Sequence, residues 1–241
     1  MVLHVNGATA LVTGANRGIG RATVDALLAR GATKVYATAR TVETLAELAA
    51  DPRVVALRLD ITDAGQVADA AAAADDVTFL VNNGGSLAFA DLLGGEPAAI
   101  DADLRTNYFG TLAVTRAFVP ILRDNGGGAI VNLLSLVALG AVRGMGGYSV
   151  SKAAAASMTQ AVRAQVADLG ITVHGVFPGA VDTDMIRAFA MPKTSASEVA
   201  HAILDGVEAG DEDIFPDPMA LDGYRAWRAD PKTLERRMAS I

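Results

Sequence analysis

The chain of 241 residues carries 51% hydrophobic and 20% charged side chains, a formal net charge of −7 and no cysteine. This composition excludes an intrinsically disordered chain, a disulfide framework and thiol chemistry, and the acidic balance disfavours a broad nucleic-acid footprint. Residues 1–13 hold no basic stretch leading a long apolar run, and no apolar run of membrane-spanning length follows, so a cytoplasmic protein with neither membrane nor nucleic-acid partner is expected.

In chain order, strand-like runs fall near 8–12, 34–38, 54–58, 77–82, 128–133, 171–176 and 212–216. Helix-length runs lie between them near 18–30, 42–49, 64–74, 97–123, 147–168 and 196–209. The alternation predicts repeated βαβ units, hence an α/β fold with a parallel sheet. Several strands are apolar nearly throughout, as burial under helices on both faces requires. No linker rich in Pro, Gly or Ser divides the chain, so residues 1–241 read as one domain, with 218–239 as a tail of two short helices parted near Pro231.

The first strand runs into Gly14-Ala15-Asn16-Arg17-Gly18-Ile19-Gly20 and then a helical pattern. Glycines permit a tight turn and close backbone approach, and a helix N-terminus offers free N–H groups to a pyrophosphate. Taken alone, such glycines equally serve close packing, and the spacing differs from GxGxxG. The second strand ends in Ala39-Arg40, where an acidic residue would hold the ribose hydroxyls of NAD; Arg40, with Arg17, instead offers positive charge to a 2′-phosphate and predicts NADP(H). Asp60, followed by Ile61 after the third strand, either hydrogen-bonds an adenine edge or caps a helix. Asn82-Asn83-Gly84-Gly85 closes the fourth strand, either beside the adenosine ribose or as a plain Asn-Gly turn.

Tyr148-Ser149-Val150-Ser151-Lys152 opens a helix, and a spacing of four sets Tyr148 and Lys152 on one face. A neighbouring ammonium is expected to lower the phenol pKa toward a catalytically useful value. A Tyr and a Lys four apart are common in helices; Ser135, just beyond the fifth strand where such sheets present ligand-facing residues, adds a hydroxyl for a substrate oxygen. Asn107 lies within a predicted long helix, an unfavourable place unless its amide has a specific partner. It either holds a water linking Lys152 to solvent or bends the helix.

The set TGANRGIG at 13–20, NNGG at 82–85, Asn107, Ser135, YSVSK at 148–152 and PGAVDTDM at 178–185 resembles the short-chain dehydrogenase/reductase family over nearly the whole chain. Arg17 and Arg40 give it the flavour of that family's NADPH-dependent carbonyl reductases. The resemblance implies a doubly wound Rossmann-type fold, with a seven-stranded sheet in the order 3-2-1-4-5-6-7 and a Ser-Tyr-Lys site assisted by Asn107. It also implies that Pro178, Gly179, Val181 and Thr183 line the nicotinamide side, and that the protein is a homodimer or homotetramer. Two departures stand out: Gly84-Gly85 in place of Ala-Gly, and a glycine-rich stretch, 140–147, before Tyr148.

The expected reaction moves a hydride between nicotinamide C4 and a carbonyl or alcohol carbon, with Ser135 holding the oxygen and Tyr148 transferring the proton. The segment 184–194 is a short lid, and Met145, Met185, Phe189 and Met191 give the pocket an apolar lining or simply pack that lid. Alternatives are a 3-oxoacyl thioester reductase, an alcohol dehydrogenase working oxidatively, and a non-enzymatic NADPH-sensing scaffold. His4, His174 and His201 are too scattered for a metal site, the acidic turn at 208–213 lacks a calcium-ligand pattern, and tail arginines such as Arg236 and Arg237 belong to the surface or an interface.

Overall fold

The computed structural model describes residues 4–241, so the first three residues of the segment read for a leader lie outside it. Six strands follow one another as β1 (Thr9–Val12), β2 (Lys34–Ala39), β3 (Val54–Arg58), β4 (Phe79–Asn82), β5 (Gly128–Leu133) and β6 (Ile171–Val176). Two-residue pieces complete the set: β7 (Val181–Asp182), β8 (Thr194–Ser195) and β9 (Asp213–Ile214). The main sheet is parallel, in the order β3-β2-β1-β4-β5-β6-β9, which over its own seven strands is the expected 3-2-1-4-5-6-7.

Alternation along the strands feeds two separate cores. Ala10, Val12, Val35, Phe79, Val81 and Val131 point to one face, under α1 (Gly18–Ala29) and α6 (Ala196–Ala209). Leu11, Tyr36, Leu80, Ile130 and Val173 point to the other, under α2 (Ala64–Ala73), α4 (Thr111–Asp124) and α5 (Gly146–Gln165). On that second face the alternation continues into polar residues: Asn82 and Asn132 are register partners, and Asn82 Nδ2 donates to Asn132 Oδ1 at 2.8 Å. Their ladder ends on Thr159 of α5, so it ties that helix to the sheet just below Tyr148 and Lys152.

Two predicted helices are corrected. Residues 42–49 form two short 3₁₀ turns, Val42–Leu45 and Leu48–Ala50, instead of an α-helix. The buried anchors Leu45 and Leu48 are three apart, which suits a three-residue period, and Pro52 holds Asp51 extended and ends the segment. The long helix expected over 97–123 is α3 (Pro97–Leu104) and α4, joined through a π-helical turn at Arg105–Gly110. Asn107 sits in that turn, and π turns of this kind concentrate at functional positions.

The tail forms α7 (Pro218–Ala229) and α8 (Pro231–Ala239), each opened by an aspartate cap, Asp217 and Asp230, with proline at the first helical position. Leu234 and Met238 of α8 pack on Leu136 and Val142. The tail therefore lies against its own chain beside the C-terminal ends of the strands.

Candidate active site

A cleft of about 400 Å³ runs across the carboxyl ends of the strands, from Arg40 and Asp60 past the glycine turn to Ser135, Tyr148 and Lys152. It spans the point where strand order reverses between β1 and β4, the place where open α/β sheets bind ligands.

At the first end, Gly14 and Gly18 adopt left-handed backbone, with φ of +65° and +54°. Gly20 is required sterically: a Cβ there would lie 2.3 Å from the Gly14 carbonyl oxygen and 2.4 Å from Asn83 Nδ2. No side chain caps the first turn of α1 and no acid occupies it, so Gly18 and Ile19 bring uncapped N–H groups to the cleft. Asn16 and Ile61 also line it.

Asn83 turns inward. Its Nδ2 donates to the carbonyls of Thr13 and Gly14 at 2.9 and 3.1 Å, while Thr13 Oγ1 accepts from the N–H groups of Asn83 and Gly84. This residue thus braces the glycine turn against the end of β4. Gly84 and Gly85 are packed as well, against Ile61 and Thr13 and against Asn107 respectively.

Arg40 is exposed at the cleft rim, and Arg17 approaches Asp184 of the lid at 3.5 Å. Asp60 Oδ1 accepts from the backbone N–H and the hydroxyl of Thr62, and the cap of α2 is Asp63. The helix-capping alternative for Asp60 is thereby removed.

At the other end, Ser135 follows β5; its hydroxyl donates to the Pro178 carbonyl at 3.5 Å, accepts from Val137 N–H at 3.3 Å and shares the cleft with Tyr148. Lys152 Nζ donates to the Leu133 carbonyl at 2.6 Å and stands 5.6 Å from the centroid of the Tyr148 ring. The expected lowering of the phenol pKa is not found. Burial pushes Tyr148 up to about 12, the Ser135 hydroxyl pulling against that rise, and burial brings Lys152 down to about 8. The physical reason is that both charged forms lose water, and the ammonium bonds the strand carbonyl instead of the phenol.

Asn107 uses its amide fully. Oδ1 accepts from Ser86 N–H, and Nδ2 donates to the Ser86 carbonyl and to Ser151 Oγ, each at 2.9 Å. It clamps the segment after β4 to α5, one residue before Lys152.

Pro178, Gly179, Val181 and Thr183 line the same cleft as Lys152. Thr183 packs on Gly18 and Gly179 N–H donates to Asp217, so this segment is held from both sides. β7 pairs with β8, bracing the two ends of the lid. Met145, Met185, Phe189 and Met191 also line the cleft, and the Phe189 ring stacks on Phe89 at 5.5 Å.

Sequence reasoning missed the rest of that wall: Leu136, Val137 and Val142 near Ser135, and Met219, Met238 and Ile241 from the tail. Five of the chain's seven methionines therefore line one cleft. The glycine-rich stretch is packed at Gly140 against Leu234 and Met238, at Gly146 against Leu92 and at Gly147 against Ile100. His174 is structural, its ring bonded to the Asp211 carbonyl and to Thr172 Oγ1.

Sheet order, uncapped glycine turn and a paired tyrosine and lysine across one cleft define the class: a dinucleotide-dependent α/β oxidoreductase acting on a carbonyl or alcohol. Residues 8–193 match the short chain dehydrogenase family model, and the chain belongs to the short-chain dehydrogenase/reductase family. It is 42% identical to a short chain dehydrogenase from Burkholderia cenocepacia J2315 solved in complex with NADP, with a TM-score of 0.94 over 98% of this chain and 99% of that one. It is 34% identical to the short chain dehydrogenase mpl6 of Monascus purpureus over 75% of this chain and 67% of that protein. Against the 3-oxoacyl-[acyl-carrier-protein] reductase FabG of Escherichia coli K12, identity is 33% over 77% of this chain and 78% of that protein.

Proposed function

We propose that the protein is an NADPH-dependent carbonyl reductase that converts an apolar ketone to its alcohol, with Tyr148 as proton donor. The observation that carries this reading is the meeting of Ser135, Tyr148 and Lys152 in one cleft, whose far rim presents Arg40.

The residues fit the cofactor. Gly14, Gly18 and Gly20 leave the room a pyrophosphate needs, the uncapped N-terminus of α1 supplies its N–H donors, and Arg40 with Arg17 suits a 2′-phosphate. Lys152 spends one N–H on Leu133 and keeps others for ribose hydroxyls. The Burkholderia relative's NADP supports the same choice. NADPH, when bound, supplies the hydride. Ser135 then holds the carbonyl oxygen, Tyr148 gives it a proton, and Lys152 sustains the electrostatics of that transfer. A phenol held near 12 is protonated at neutral pH and so stands ready to donate to a carbonyl oxygen.

The methionine-rich wall, with Phe189 and Ile241, supports a bulky neutral carbonyl substrate, because thioether side chains adapt to irregular apolar shapes. Similarity to FabG supports the second reading, reduction of a 3-oxoacyl thioester. A homodimer or homotetramer is supported by the apolar groove formed by Tyr108 of the π turn, Leu112 of α4, and Met158 and Val162 of α5. No helix among the described residues is long and apolar enough to cross a membrane.

The test is NADPH and NADH oxidation across aryl ketones, diketones, ketoesters and acyl thioesters, beside Tyr148→Phe and Arg40→Ala. Ketone-dependent NADPH turnover should vanish in the first variant, and the second should lose NADPH efficiency by about 10- to 100-fold with NADH little changed. Preference for thioesters moves the assignment to the second reading, and an active Tyr148→Phe overturns both.

A further inference from the structure

Asp103 of α3 is fully buried, enters no ion pair among the described residues, and is not required by the proton-transfer steps above. Its carboxylate accepts from Ser86 Oγ at 2.8 Å and from Ala88 N–H at 3.2 Å. An acidic side chain in that setting is costly, because two neutral donors replace neither water nor a counter-charge.

Its position connects it to the reacting groups. Asn107 grips Ser86 through both backbone groups and reaches Ser151 on α5. The neighbouring Gly85 lies against Asn107 Oδ1 and near Lys152 Nζ, where even a Cβ would approach to 3.0 and 3.7 Å. Asp103 therefore anchors the far side of the wall that Lys152 stands beside.

We propose that Asp103 is a positioning residue of the proton-transfer site: its carboxylate fixes the Ser86–Ala88 segment that Asn107 grips, and through that wall it sets the surroundings in which Tyr148 and Lys152 exchange the proton. The inference rests on the assignment of Tyr148 as proton donor.

The surrounding charges leave Asp103 as the acid that acts there. On α3, Asp101 is exposed and paired with Arg105. In the segment after β4, Asp91 is exposed and bonded to its own turn. Ahead of α5, Arg143 is exposed, and on the lid Asp184 is committed to Arg187 and Arg17. β5 contributes only the Leu133 carbonyl and, beyond its end, the Ser135 hydroxyl. Burial is the larger influence on both reacting groups; the Asp103 charge adds to the rise at Tyr148 and opposes the fall at Lys152.

The test is the pH dependence of kcat in both directions for Asp103→Asn, with cofactor affinity measured by fluorescence titration. Removing the charge should move the high-pH limb of ketone reduction and the rising limb of alcohol oxidation to lower pH, by about one unit. Asp103→Glu should return both limbs toward the wild-type position. A purely structural role lowers kcat or stability and leaves the limbs in place, and that result overturns the proposal. Should Asp103→Asn not fold, Asp103→Ser, which leaves room for a water, repeats the measurement with the same two outcomes. Unmoved limbs beside an inactive Tyr148→Phe refute Asp103 alone, whereas an active Tyr148→Phe refutes the reading beneath it.

Discussion

Lys152 is anchored to Leu133 before it serves Tyr148: its Nζ donates to the Leu133 carbonyl at 2.6 Å, while the phenol ring lies 5.6 Å away. A buried ammonium held by a strand carbonyl is placed for function at a cost in stability, and that cost has a pH signature.

Burial brings Lys152 from 10.5 to about 8, so between those values the unfolded chain keeps a proton that the folded chain has released. Stability contributed by this group therefore rises with pH across that window, and its penalty is present in full below pH 8. The penalty is on the order of 3 kcal/mol, offset by about 1 kcal/mol from the bond to Leu133. Lys152→Met is expected to be more stable than wild type in urea at pH 7, by about 1–2 kcal/mol, with the advantage shrinking above pH 8. Its turnover should fall by about 10²- to 10⁴-fold.

Gly20→Ala tests the phosphate turn. The new Cβ would sit 2.3 Å from the Gly14 carbonyl and 2.4 Å from Asn83 Nδ2, neither of which is the free end of a flexible side chain. Unfolding in urea should register a loss of about 1–3 kcal/mol. NADPH titration should show weakened binding, since Asn83 must release the turn. Unchanged affinity would show that the cofactor does not rest on this turn.

Leu234→Ala tests the tail as part of the pocket. Leu234 is buried against Leu136 and Val142, and Met238 one turn later lines the cleft. Stability should drop by about 2–5 kcal/mol. The KM for bulky apolar ketones should rise while the KM for NADPH stays put. A rise in both would mean that the damage is global.

His174 gives the acid side of the stability curve. Burial lowers its pKa from 6.5, the Asp211 carbonyl opposing that shift, so the folded chain holds a neutral ring where the unfolded chain takes up a proton. Its contribution is complete above about pH 6.5 and declines as pH falls through the window below it. Urea unfolding from pH 7 down to pH 5 should show a shallower pH slope for His174→Gln than for wild type. Equal slopes would mean that the ring does not titrate in this way.

Much of the site was legible locally. Gly14, Gly18 and Gly20 mark a turn because only glycine tolerates its left-handed φ and its close contacts, and Tyr148 with Lys152 share a face because a helix repeats every 3.6 residues. Near-continuous apolar runs marked strands covered on both faces, and strand-helix alternation marked a parallel sheet. Asn107 was visible as an anomaly within a helix pattern, but the π turn that houses it was not, because no composition signal separates π from α backbone.

Other features depend on long-range placement. The Leu234 and Met238 spacing shows that α8 has an apolar face but not that the face covers Leu136, a residue nearly one hundred positions earlier. Asp103 reads as an ordinary helix-surface acid until α3 packs on α5 and removes it from water. The direction of the Tyr148 shift follows the same rule. The sequence by itself determined which groups are present and which near neighbours share a turn or a face, because those relations are set by backbone geometry over a few residues. Tertiary structure alone decided burial, and with it the protonation of Tyr148 and Lys152 and the apolar wall of the cleft, because solvent exclusion is a property of the packed whole.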